Sequence, residues 1–87
     1  MKLKAVLIHL ASECGETTQA AVKVIQHGPL SKNPKEKPPK TNVRALEEEV
    51  GDVLALVELL TEGGLLRRDR VIARINEKLQ TYRRKYA

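Results

Sequence analysis

Two short stretches of this sequence hold acidic residues at a spacing that can do chemistry. Glu13 and Glu16 flank Cys14-Gly15, and Glu49 and Asp52 flank Val50-Gly51. Three residues on a helix is slightly less than one turn, so each pair projects from one side with a mid-helix glycine between its members. On a helical wheel the first acid of each pair lies on the border of its apolar stripe and the second about 60° further out. Four such carboxylates sharing a groove repel one another, and when partly desolvated they either take up protons or recruit cations. An all-oxygen donor set suits Mg²⁺, with Mn²⁺ as the second choice. Magnesium keeps several waters and completes its shell with substrate phosphates instead of a full protein cage.

Elements must exist to bring the pairs together. Leu3, Val6, Leu10, Cys14, Ala21 and Val24 recur at steps of three, four or seven, which predicts a helix over 3–27 stopped by Gly28 and Pro29. All four prolines, Pro29, Pro34, Pro38 and Pro39, fall in 28–41 with Lys32, Lys35, Lys37 and Lys40, giving a basic and mobile loop. Thr41 or Asn42 can cap a second helix over 42–61, whose stripe is Leu46, Val50, Val53, Val57 and Leu60 before Gly63 and Gly64. Asp69 can cap a third over 69–86 with Val71, Ile75, Leu79, Tyr82 and Tyr86 on one face. Strand-like alternation is missing, so the expected fold class is all-α: one domain, 1–87, of three helices. If the first two helices pack antiparallel and stripe to stripe, the acid pairs can face each other across a groove.

At 87 residues, with Tyr82 and Tyr86 the only aromatics, the core must be built from aliphatic side chains and is marginal alone. Self-association into a homodimer or homotetramer that completes an antiparallel helical bundle is therefore expected. The net charge of +5 is unevenly spread: 45–64 carries six acids and no base, 65–87 eight bases and two acids. An acidic helix beside a basic one suits a phosphate ligand bridged by a cation; two solvated faces that attract each other explain the same charges. Cys14 is the sole cysteine, reads as a small stripe residue, and excludes an internal disulfide. No His and Cys spacing supports zinc. The apolar run near the start is broken by His9, with Glu13 where a cleavage site needs small residues, and no run approaches the ~20 residues of a membrane span. A cytoplasmic protein without a membrane partner is the expectation.

The segments Glu13-Cys14-Gly15-Glu16 and Glu49-Val50-Gly51-Asp52, in helices separated by a loop, resemble the Glu-x-x-Glu and Glu-x-x-Asp motifs of the MazG-like, all-α nucleoside triphosphate pyrophosphohydrolases. The likeness extends through Leu46 to Leu54 and to Lys78-Leu79. It implies hydrolysis of a (d)NTP to the monophosphate and pyrophosphate, Mg²⁺ held by Glu13, Glu16, Glu49 and Asp52, and a four-helix bundle built from two chains. Ser12 stands where many members have a further Glu, so either Glu13 or Glu16 could activate the attacking water. The aromatic residues that often sandwich the base are missing, which leaves base and sugar preference open.

Phosphates not covered by metal need cationic partners. Lys23, two turns beyond Glu16 on nearly the same face, is the first candidate, supported by the resemblance; Lys78 is the second. Arg74 and Arg83 border the third helix's stripe, and Arg83 is also a candidate. His9 lies one turn before Glu13 on the same face and could touch substrate or a carboxylate. Tyr82 and Tyr86 read as packing residues. A basic nucleic-acid-binding module explains the lysine loop and the third helix but not the paired acids, which makes nucleic acid an unlikely partner. A silent helical interaction module is the remaining alternative.

Overall fold

A computed structural model describes residues 1–87. Three helices follow one another, α1 (Leu3–His27), α2 (Asn42–Glu62) and α3 (Arg68–Lys85), with no strand. Each boundary has a local cause. The Gly28 N–H bonds to the Val24 carbonyl with φ +87°, a conformation that glycine adopts without strain. Thr41 caps α2 by accepting the Arg44 N–H at 3.2 Å on its hydroxyl. At α3 the expected cap moves: Arg67 occupies the capping position without a side-chain bond, and Asp69 sits inside the first turn. There its carboxylate accepts from the Arg67 guanidinium and complements the helix dipole.

α1 and α2 are the pair that packs. The α1 residues turned from solvent are Leu3, Val6, Leu10, Glu13, Thr17, Ala20, Ala21 and Val24. Alternating steps of three and four from Leu3 to Ala20 and on to Val24 form the seam of an antiparallel pair. Opposite lie Asn42, Ala45, Leu46, Glu49, Val53, Leu56, Val57 and Leu60. This corrects the stripes read from apolarity alone. Cys14 and Val50 are exposed, and Glu13, Thr17 and Glu49 hold seam positions.

The connection between these helices is stitched at both ends. Asn42 donates its backbone N–H to Ser31 and its side-chain amide to Gly28, while Val43 donates to Pro29. Lys32 and Thr41 form a bridge. The ends of the expected mobile loop are therefore bound to the start of α2.

α3 leaves the pair. No α3 residue is buried, and Arg68 ties its first turn to Glu58 of α2. The chain measures 42 × 37 × 15 Å, so it is little more than one helix thick. Only Ala20, Asn42, Leu56 and Leu60 are buried, and Ile75, Leu79, Tyr82 and Tyr86 form an uncovered face on α3. A side chain added at Gly15 or Gly51 would meet nothing within the chain, so the α1–α2 pairing does not require either glycine.

Candidate metal centre

Midway along the seam, the polar positions of the two helices meet. One carboxylate oxygen each from Glu13, Glu49 and Asp52 lies within 4.8 Å of the others. Glu13 is well enclosed, its side chain only 13% exposed, and its Oε1 is 3.2 Å from His9 Nε2. Thr17 supports both sides: its hydroxyl donates to the Glu13 carbonyl at 2.8 Å and approaches the Glu49 carbonyl at 3.5 Å.

Glu13 and Glu49 differ from the other acids along the helices in enclosing a carboxylate oxygen that no cation reaches. Glu48, Glu58, Asp69 and Glu77 each hold a lysine or an arginine, whereas Glu49 and Asp52 hold none. The buried Oε2 atoms of Glu13 and Glu49 have no partner. Two facing carboxylates contain no donor unless a proton or a cation comes between them. Sharing a hydrogen bond with Glu13, then burial, then the negative charges of Glu16, Glu13 and Asp52 push the Glu49 carboxyl up to about 7.

The sign of the resulting pH dependence follows by linkage. An unfolded glutamate titrates near 4.5, whereas folded Glu49 holds its proton to about 7. The stability gained from that proton is complete below 4.5 and is lost as pH rises through 7. Glu48, held below the ordinary range by Lys40, acts beneath that window. The thermal midpoint of metal-free protein, followed by circular dichroism, is therefore expected to fall between about pH 4.5 and 7. A flat profile would contradict the close approach of Glu13 and Glu49.

The sequence-predicted residues divide into three groups. Glu13, Glu49, Asp52 and His9 come together, and His9, Glu13 and Asp52 line one side of the cluster with Ala55 and Leu56. Glu16 lies outside the three-oxygen set, yet its charge acts on Glu49, and it shares a groove with Glu49 and Lys23 on the other side. Lys78 and Arg83 are not brought to the cluster within the chain, because α3 does not pack back over it. Lys78 Nζ lies 5.7 Å from the centre of the Tyr82 ring. Sequence reasoning missed Thr17 and Lys40. Thr17 was visible only as a polar residue in the alternating three-four register; Lys40, adjacent to the α2 cap, was counted with the loop and not with the site.

The three oxygens, unmatched by any lysine or arginine and two of them belonging to residues with an orphaned second oxygen, are a donor set that could hold a hard metal ion. No helix is long and apolar enough to cross a membrane. Neither curated proteins nor solved structures give a match to the chain. The family comparison does, and it agrees with the all-α architecture and the facing acid pairs: residues 2–86 match the MazG nucleotide pyrophosphohydrolase domain, and the chain belongs to that family.

Proposed function

We propose that the chain hydrolyses a nucleoside triphosphate to its monophosphate and pyrophosphate, using Mg²⁺ or Mn²⁺ held by Glu13, Glu49 and Asp52. The supporting observation is the set of converging carboxylate oxygens with buried, unpartnered Oε2 atoms on Glu13 and Glu49. When bound, the divalent ion supplies charge neutralisation at the phosphoryl oxygens and a more acidic water. The chain's own residues do the rest. His9 orients Glu13 through its ring nitrogen. Glu16, outside the three-oxygen set and open to the groove, accepts the proton of the attacking water. Lys23 lines the same groove and meets phosphate oxygens that carboxylates repel.

Lys78 and Arg83 enter this reading through a second copy. The exposed apolar residues of α3, together with Leu54 and Leu59 of α2, are the surfaces that a homodimer or homotetramer covers. The acidic α2 and the basic α3 complement each other across such an interface.

Pyrophosphate release across canonical and damaged (d)NTPs, with Mg²⁺ and then with EDTA, tests the proposal. Turnover of at least one triphosphate that EDTA abolishes is expected. A midpoint raised by millimolar Mg²⁺, by an amount equivalent to about 2.7 kcal/mol at a hundredfold excess over Kd, is the accompanying stability result. No turnover and no shift would sink the reading; a salt-sensitive nucleic-acid shift in their place would favour a binding module on α3.

A further inference from the structure

We propose that the basic hollow between the end of α1 and the α1–α2 connection takes the pyrophosphate end of the substrate, which fixes the direction in which the nucleotide lies. This rests on the hydrolase reading above and adds to it a residue set and an orientation.

The carboxylate cluster divides the surface into two unlike sides. On one side, Glu16 and Glu49 open into a groove of about 260 Å³ that also contains Lys23 and Lys40. That groove runs into a hollow of about 300 Å³, which shares Lys23, Glu36 and Lys40 and adds His27, Ser31 and Lys32. Within the hollow three lysines, Lys23, Lys32 and Lys40, stand against one glutamate, Glu36, so the end of this side away from Glu16 and Glu49 is cationic. The hollow is preformed: Asn42 fixes Gly28 and Ser31, and the Lys32–Thr41 bridge holds Lys32 beside Lys40. On the other side lie His9, Glu13, Asp52, Ala55 and Leu56. There the single basic group is His9, already engaged by Glu13.

A triphosphate attacked at its α-phosphorus must place that atom at the carboxylate cluster. The β- and γ-phosphates then extend to one side and the nucleoside to the other. Polyphosphate anions need cations and hydrogen-bond donors, which the loop side supplies. The other side presents the carboxylates of Glu13 and Asp52 and no free cation, so the uncharged nucleoside lies there, beside Ala55. In the step itself a water oxygen bonds to the α-phosphorus. The bond from that phosphorus to the α,β-bridging oxygen breaks, the departing pyrophosphate keeps its electron pair, and the water's proton passes to Glu16. Lys32 and Lys40 would hold the leaving group as it acquires charge.

The test is a calorimetric titration of inorganic pyrophosphate and, separately, of a nucleoside monophosphate into the full chain with Mg²⁺. Wild type is compared with Lys32→Ala and Lys40→Ala, and with Lys35→Ala as a lysine outside the hollow. Lys32 makes no side-chain ion pair and Lys40 only an exposed one with Glu48, so both variants are expected to fold. Loss of a charge-assisted contact should weaken pyrophosphate binding by about tenfold or more in each, leave the monophosphate unaffected, and cut the kcat/KM preference for a triphosphate over its diphosphate by a similar factor. Weakened monophosphate with unchanged pyrophosphate would overturn the orientation, as would an equal loss in Lys35→Ala. Absence of turnover with every triphosphate would defeat the hydrolase reading alone; Lys32-dependent pyrophosphate binding would still support the hollow, and its absence would overturn it.

Discussion

Glu49→Gln is expected to make the metal-free chain more stable at neutral pH while removing both the response to Mg²⁺ and turnover. The substitution keeps the shape of the side chain, so the seam between α1 and α2 is not emptied. It exchanges a carboxylate that must share a proton with Glu13 for an amide, which can donate to the unpartnered Oε2 of Glu13. The repulsion of Glu49 by Glu13, Glu16 and Asp52 is removed at the same time, and the fall in midpoint between about pH 4.5 and 7 should disappear. The donor set for the ion loses one charged oxygen in three. A fall in kcat/KM of at least about 10²-fold is expected, the scale on which one electrostatic group at a reacting centre acts. Midpoints with and without Mg²⁺, measured beside pyrophosphate release, check both halves. Greater apo stability with full activity would show that Glu49 is only a structural acid, and lower apo stability would show that the carboxylate is satisfied in a way its surroundings do not reveal.

That a residue can weaken the fold and still occupy its seam explains which features were legible in the sequence. Helix ends were readable because their causes are local: Gly28 with positive φ, Thr41 with its hydroxyl on the Arg44 N–H, and the prolines between them. The facing of the two acid pairs was readable from matched positions on two wheels. The placement of those pairs was not, because a stripe drawn through apolar residues passes over polar ones. Following Leu3, Val6 and Leu10 by steps of three and four arrives at Glu13, Thr17 and Ala20, and skipping the polar members rotated the stripe towards Cys14. The exposure of Cys14 and the enclosure of Glu13 are the same correction seen from two sides. The position of α3 was illegible for a different reason. An amphipathic stripe states that a face needs covering and does not state which chain covers it, and in the single chain Ile75, Leu79, Tyr82 and Tyr86 remain open. Lys78 and Arg83 therefore could not be assigned to the intrachain site from their position on α3.

Leu60→Ala is expected to have the largest effect on stability of any aliphatic truncation, about 2–5 kcal/mol if the surrounding seam fails to collapse. Leu60 is the most enclosed side chain, at 1% exposure, and it lies near the end of α2 where the antiparallel pairing brings the start of α1. The neighbourhood is tight: a methyl group at Gly63 would fall 2.7 Å from Leu3 Cδ2 and 2.9 Å from the Met1 sulfur. With four buried residues in the whole chain, no other part of the core can compensate for a lost anchor. Chemical denaturation of Leu60→Ala against Leu54→Ala provides the comparison, since Leu54 is 60% exposed in the single chain. In an isolated subunit Leu54→Ala should cost far less than Leu60→Ala. An equal cost that grows with protein concentration would mean that a second copy buries Leu54, because only an association equilibrium makes the stability of a core position depend on concentration. The carboxylate cluster lies between the Leu60 end of the seam and the Asn42 end, so loosening the pair at Leu60 should also widen the separation of Glu13 from Asp52. Mg²⁺ is then expected to recover part of the lost stability, because an ion held by Glu13, Glu49 and Asp52 would favour the packed state in which their oxygens converge.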